Sequence, residues 1–307
     1  MFSIMIRHIF NKQIFCQFWS IAVKFLVILI FFILPLAADD FQFAVVADCQ
    51  YCDKPDKGLR MYKSSTERFQ EFVNFTKDKD LKFGVHLGDF IDEKFESFTP
   101  LLKISKELKF PFYHVLGNHD FSVKDELKKE VPKLLGMPSR YYSFKVKNWV
   151  FVALDGNDLS FHGHPKGSEK YKESEKYYKE NKIKSPKYNG GMSKEQITWV
   201  KDILSKADSA KENVILFSHF PVYPANHHNL WNDKEIVSLL SKYKCVKAYI
   251  NGHNHKGNYA EKEGIHYFTQ KGMVENIEST YSIITLKKSQ INIKGFGAVK
   301  DKTLIFK

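Results

Sequence analysis

Gly252-His253-Asn254-His255 sets two imidazoles one residue apart, just after the apolar run 246–250. Imidazole is a common ligand for borderline divalent metals. On an extended or turning backbone, side chains at i and i+2 can be aimed at two neighbouring ions. An H-x-H pair alone is weak evidence, because such pairs also occur by accident on surfaces. Four further segments share its design. Asp48-Cys49-Gln50 follows the run 41–47, and Gly88-Asp89 follows 83–87. Gly117-Asn118-His119-Asp120 follows 112–116, and Ser218-His219-Phe220-Pro221 follows 214–217. Each time a short apolar run ends and a cation-binding group appears. In open α/β sheets the site lies outside the carboxyl ends of the strands. Such exits converge on one edge, so a shared metal centre is expected. Its mixed nitrogen and oxygen donors suit Mn2+ and also accept Fe2+ or Zn2+.

The elements that must carry these groups are legible around them. Residues 41–47 become continuously apolar, as a central strand does. Residues 59–77 place Phe69, Phe72, Val73 and Thr76 at helical spacing. His86 and His114 lie inside strand runs and read as packed histidines. Residues 140–145 and 149–154 read as a strand pair across Lys147-Asn148. Between 156 and 191 the apolar period collapses into lysine, glutamate, tyrosine and serine. That stretch is either a functional loop or lid, or a disordered insertion. His162 and His164 within it follow no strand and read as surface residues. Tyr188-Asn189-Gly190-Gly191 is a tight turn. Ser193-x-x-Gln196 is a capping box that opens a helix to about residue 207. His227 and His228 sit in a loop stiffened by Pro221 and Pro224 and read as rim residues. After a helix at 234–242, the runs 265–269, 282–286 and 290–296 read as strands of a second sheet closing a sandwich.

The chain has 307 residues, enough for one large domain or two small ones, and 43% hydrophobic content supports a core. The formal net charge is +12, but the lysines are scattered and form no basic block interleaved with aromatics. A solvated face that helps to steer anionic phosphates is expected, not a nucleic-acid surface. Arg7 and Lys12 precede the apolar run 25–34 and Pro35-Leu36-Ala37-Ala38. Residues 1–38 therefore read as a secretory signal peptide. Extended back to Phe18, the run would instead suffice for an uncleaved membrane anchor. Either reading predicts an extracytoplasmic, secreted or membrane-anchored protein, with 39–307 as the catalytic domain. Cys16 lies in that leader, which leaves Cys49, Cys52 and Cys245 and no disulfide framework. Cys49-x-x-Cys52 has no second such pair, so buried small residues are favoured over zinc or redox chemistry.

The ordered set D-x-Q, GD, GNHD, SHFP and GHNH resembles the calcineurin-like metallophosphoesterases across residues 41–296. Asp48-x-Gln50 in place of the usual D-x-H, the Tyr188–Gly191 turn and the SHFPVYP run at 218–224 look like the Mn-dependent ADP-ribose/CDP-alcohol diphosphatases. The resemblance implies a single α/β domain: two sheets packed face to face, flanked by helices, in four layers. It implies two divalent ions. One would take Asp48, Gln50, Asp89 and His255. The other would take Asp89, Asn118, His219 and His253. His119 would be the general acid or transition-state stabiliser, with Asp120 orienting its imidazole. Asn189, Gly190 and Tyr223 would line the substrate pocket. Asp92 stands where purple acid phosphatases place an iron-binding tyrosine, which argues against a ferric centre. The implied reaction is metal-assisted, in-line hydrolysis of a diphosphate linkage in a small nucleotide substrate, by a monomer. Phosphomonoesterase or cyclic-nucleotide phosphodiesterase activity is the second enzymatic reading. An inactive binding module is a third, and the complete ligand set argues against it.

Overall fold

The computed structural model describes residues 40–306. Strand β1 (Phe41–Val46) is buried on both faces except at Gln42, so it needs cover on each side. It pairs in parallel with β2 (Leu81–His86), and β2 pairs in parallel with β3 (Phe112–His114). On its other side lie β10 (Tyr281–Leu286), β11 (Gln290–Phe296) and β12 (Lys302–Ile305), each antiparallel to the last. A second six-stranded sheet has β4 (Tyr142–Val146), β5 (Trp149–Ala153), β6 (Asn213–Ser218), β7 (Val246–Asn251), β9 (Ile265–Thr269) and β8 (Asn258–Lys262) in spatial order. Its centre is parallel, and β4 and β8 are antiparallel edges.

The C-terminal strands depart from the expected arrangement. Only residues 265–269 join the second sheet; the strands at 281–286 and 290–296 extend the first. The reason is pairing with a distant strand: β10 runs antiparallel to β1, with Phe41 opposite Leu286 and Val45 opposite Ser282, and its burial on both faces suits that interior place. Along β10, Ile284 and Leu286 face the core between the sheets, while Tyr281 and Ile283 face the outer helices. A strand apolar on both faces belongs in a sheet interior.

The two sheets meet through aromatic rings. Phe43 stacks on Phe83 at 4.6 Å and meets Phe151 and Phe217 of the opposite sheet edge-on at 5.6 and 5.9 Å. Burying each such ring contributes on the order of 2–3 kcal/mol. Helices α1 (Ser65–Thr76) and α2 (Phe98–Ser105) cover the first sheet through Phe69, Phe72, Phe98 and Leu101. A short turn, α3 (Val131–Leu134), adds Val131 to that layer. Helices α5 (Lys194–Ser209) and α6 (Asp233–Leu240) cover the second sheet through Ile197, Val200, Leu204, Ile236 and Leu240. Four layers result, helix–sheet–sheet–helix, as expected.

Half of the expected capping box forms. Ser193 Oγ accepts Gln196 N at 3.2 Å, but the Gln196 amide turns to Asp155 O and Asp158. The polar stretch 156–191 carries a helix, α4 (Glu169–Glu180), capped by Ser168 and docked on aromatic rings. Phe161 lies 5.7, 5.4 and 5.6 Å from Tyr171, Tyr178 and Trp231. Cys49, Cys52 and Cys245 are buried free thiols.

The expectation of an exported or membrane-anchored protein is corrected. No helix among the described residues is long and apolar enough to cross a membrane. Residues 1–38, on which the signal or anchor reading rested, lie outside the described residues.

Candidate metal centre

The loops after β1 and β2 run side by side beyond the strand ends. Asp48 N donates to Gly88 O, Gln50 N to Asp89 O and Tyr51 N to Phe90 O at 2.9–3.2 Å. Asp48, Gln50, Asp89 and His253 all have positive φ, between 45° and 67°. None is glycine, so each pays for a conformation that turns its side chain inward; such strain gathers at functional sites. Glycines make the space. A Cβ on Gly88 would stand 2.7 Å from His219 Nδ1, and one on Gly117 would stand 2.1 Å from Asp89 Oδ1.

The result is one buried cluster. Single donor atoms of Asp89, His219 and His253 lie within 4.8 Å of one another. His219 Nε2 is 3.2 Å from Asp89 Oδ2 and 3.1 Å from His253 Nδ1. Beside them, His255 Nε2 is 3.3 Å from Asp48 Oδ1, and His253 N donates to both Asp48 oxygens at 3.2 and 3.1 Å. Gln50 turns its amide nitrogen to Asp89 Oδ2 at 3.0 Å. Its Oε1, like Asn118 Oδ1, is buried without a hydrogen-bond partner. A buried amide oxygen without a donor costs about 1–3 kcal/mol. Two such oxygens beside two carboxylates and three imidazoles are the donor chemistry of a pair of divalent cations. The residues present therefore fit that group.

The charges agree. Burial opposes ionisation of Asp89, but the facing imidazoles of His219 and His119 outweigh it and hold the carboxyl well below its usual range. Burial pulls His219 down, yet Asp89 and Asp48 lift it to about 9. His255 rises to about 9 for the same reason, against burial, through Asp48 and Glu275. Burial and neighbouring His219 push His253 well below its usual value.

Several expected roles fall differently. Asp120 does not orient His119. Its carboxylate is buried and accepts the N–H groups of Asp89, Phe90 and Gly117 at 3.0, 2.8 and 2.8 Å. It is a clamp between two loops, and burial together with Asp89 raises its pKa to about 7. The His119 ring is held by Asp92 instead, with Nδ1 at 3.0 Å from the backbone oxygen and 3.2 Å from Oδ1. Asn189 does not line an open pocket: it is buried and bonds His253 Nε2 at 2.9 Å. Gly190 is buried in the turn, where an added Cβ would meet Gly156 O at 2.1 Å. Tyr223 lies in a groove with Val222, Asp233 and Lys262, which no metal-centre residue lines. His162 and His164 are half-buried instead of lying on the surface. His228 does reach the rim, with its ring 5.2 Å from that of His253.

Glu275 escaped the sequence reading. It accepts from His255 Nδ1 at 3.0 Å and lies 3.7 Å from Arg60 Nε. It follows no strand, and nothing in its neighbourhood marked it. Its position comes from the loop 270–275, where Gly272 N meets His255 O and Val274 N meets Asp48 O.

The chain matches the model of the calcineurin-like phosphoesterase family over residues 41–257. It is 34% identical over 271 residues to the manganese-dependent ADP-ribose/CDP-alcohol diphosphatase of Oryza sativa subsp. japonica, covering 76% of this chain and 84% of that one. The protein of the same description from Homo sapiens is 27% identical over 318 residues, covering 87% and 93%. A solved structure, a dimetal phosphatase from Danio rerio, superposes with a TM-score of 0.77 at 26% identity, covering 87% of this chain and 99% of that one.

Proposed function

The chain belongs to the calcineurin-like phosphoesterase family and is a metal-dependent hydrolase, and on that premise we propose that it cleaves the diphosphate linkage of ADP-ribose or CDP-alcohol substrates to a nucleoside monophosphate. One observation carries the metal centre on which the reading rests: Gln50 Oε1 and Asn118 Oδ1 are both buried and partnerless, Gln50 bonds Asp89 of the cluster, and His119 N, next to Asn118, donates to the same carboxylate.

Asp48, Gln50, Asp89 and His255 would hold one ion, and Asp89, Asn118, His219 and His253 the other. Two divalent ions bound there, Mn2+ by analogy with the relatives, would supply charge neutralisation of the phosphoryl oxygens and an activated water. The remaining work belongs to side chains. His119 donates its Nδ1–H to the Asp92 backbone oxygen, so it is the imidazolium form whose Nε2–H would pass to the leaving oxygen. Asp120 holds the loops that carry Asp89 and Asn118 together. Residues 39–307 form the catalytic domain in this reading, with 156–191 as an insertion beside the centre. Every group named comes from one chain, so a monomer suffices.

The test compares ADP-ribose, CDP-choline and p-nitrophenyl phosphate in metal-free buffer, with Mn2+ and then Mg2+ added back. AMP or CMP appearing mainly with Mn2+ is the expected result. Cleavage of the p-nitrophenyl ester alone, or of a cyclic phosphate in its place, would sink the diphosphatase reading.

A further inference from the structure

The Asn189 side chain is buried beside the metal cluster, and every polar atom on it is used. Its Nδ2 donates to His227 O at 2.7 Å, Asn229 O at 3.0 Å and Ser185 Oγ at 2.8 Å. Backbone carbonyls can only accept, so these contacts fix which end of the amide is nitrogen. Oδ1 therefore faces His253 Nε2 at 2.9 Å and must accept from it. His253 Nε2 then carries the hydrogen, and Nδ1 carries the lone pair. Nδ1 is the atom that looks at His219 Nε2, 3.1 Å away. His219 is set by its own contact, Nδ1 to Leu87 O at 2.8 Å.

From this chain of constraints we infer that Asn189 is a positioning residue that fixes the tautomer and ring orientation of His253, and so couples the insertion 156–191 to one ion of the pair. The inference rests on the ligand assignment above. It makes the insertion part of the centre's scaffold. The anchoring contacts run outward from Asn189: Trp231 N donates to Gly190 O at 2.7 Å, and Trp231 Nε1 donates to Pro186 O at 3.3 Å. The two rear supports of the His253–His255 pair also differ. His255 is backed by the carboxylate of Glu275, His253 by a neutral amide. Loss of Asn189 therefore acts on one ion only.

The experiment is a titration of metal-free full-length protein with Mn2+, followed by calorimetry and by the paramagnetic signal of free Mn2+. Asn189→Ala is expected to weaken one of two sites about 10- to 100-fold, as loss of a group behind a ligand does, and to leave the other unchanged. Asn189→Asp keeps an oxygen on His253 but loses the donors to His227 and Asn229. It is expected to retain both sites while lowering the melting temperature. Unchanged affinity in N189A, equal weakening of both sites, or loss of one site in N189D would overturn the inference. Absence of Mn2+ binding in the unsubstituted protein would overturn the ligand assignment as well. A measurement without substitution decides the case should N189A not fold. In Zn2+-loaded protein labelled with 15N-histidine, His253 is expected as the Nε2–H form, and an Nδ1–H form rules the inference out.

Discussion

His119, Asp92 and Asp120 separate three jobs that one short motif seemed to combine. His119 offers a free ring nitrogen at the cluster, so His119→Ala is expected to lower kcat about 100-fold or more while Mn2+ stoichiometry stays at two. Asp92→Asn removes a carboxylate but not the backbone oxygen at 3.0 Å, which still holds the ring. Its effect on kcat is expected to be smaller, roughly tenfold. Asp120→Ala strips the acceptor from three buried N–H groups and is expected to cost about 3 kcal/mol or more, read as a lower denaturation midpoint. A D120A protein with normal stability but the kinetic defect of H119A would restore Asp120 as the orienting group. The imidazoles make a second prediction. His219 and His255 rise from the ordinary 6.5 to about 9 in the metal-free fold. The folded state then binds more protons than the unfolded chain between those values. Their stabilisation is complete below 6.5 and is lost as pH climbs through about 9. Chelated protein is expected to melt at progressively lower temperature across that window. Metal binding displaces those protons, so the stabilisation by Mn2+ grows over the same range. Melting curves with and without chelator at several pH values check both slopes, and parallel curves would contradict them.

At the scale of elements, what could be read ahead was what is local. A run such as 246–250 followed by Gly-His-Asn-His announces a strand and its exit within ten residues, and β7 (Val246–Asn251) ends there. The five exits located the centre for the same reason. The missed features depend on distant partners. Tyr281–Leu286 joins the first sheet by pairing with β1, some 240 positions earlier, and no local pattern records which sheet a buried strand enters. Glu275 owes its place to the loop 270–275 folding back over His255 and Asp48. Helix α4 hid because Ser174 is its one buried residue among twelve. It carries no apolar stripe, and without one a helix leaves no period to detect. What holds it is the ring cluster around Phe161, with Trp231 5.1 Å from Tyr178. Trp231→Ala is expected to cost about 3–5 kcal/mol and to open the lysine-rich segment 166–187 to trypsin. Protection equal to that of the unsubstituted protein would show that the insertion is held elsewhere.

For the molecule as a whole, net charge bears on how substrate arrives, and architecture on how the centre is held. With a formal net charge of +12, approach of an anionic diphosphate is expected to be steered. Then kcat/KM falls several-fold from low to about 0.5 M salt while kcat changes little; a flat profile would assign the lysines to solubility alone. The last prediction follows from the origin of the ligands. Asp48, Gln50, Asp89 and Asn118 leave strands of the first sheet, while His219, His253 and His255 leave the second. If all seven hold the pair of ions, as proposed, the ions would tie the two sheets together at that edge. Backbone bonds reinforce the seam, Met273 N to Ala47 O and Val274 N to Asp48 O, both at 3.0 Å. The aromatic core lies behind them. Removing the ions leaves the core intact but leaves Gln50 Oε1 and Asn118 Oδ1 without partners. Chelation is therefore expected to lower stability without unfolding the chain. At a free Mn2+ concentration about 100 times the dissociation constant, binding contributes about 2.7 kcal/mol per site. For a domain of this size that corresponds to a midpoint shift of roughly 5–10 °C per site. Hydrogen exchange adds a spatial reading. In chelated protein the amides of the loops at 48–51, 88–92, 252–255 and 270–275 are expected to exchange faster, while those of β1, β2, β6 and β7 keep their protection. Uniform loosening of the strands as well would mean that the ions support the entire sandwich and not its seam.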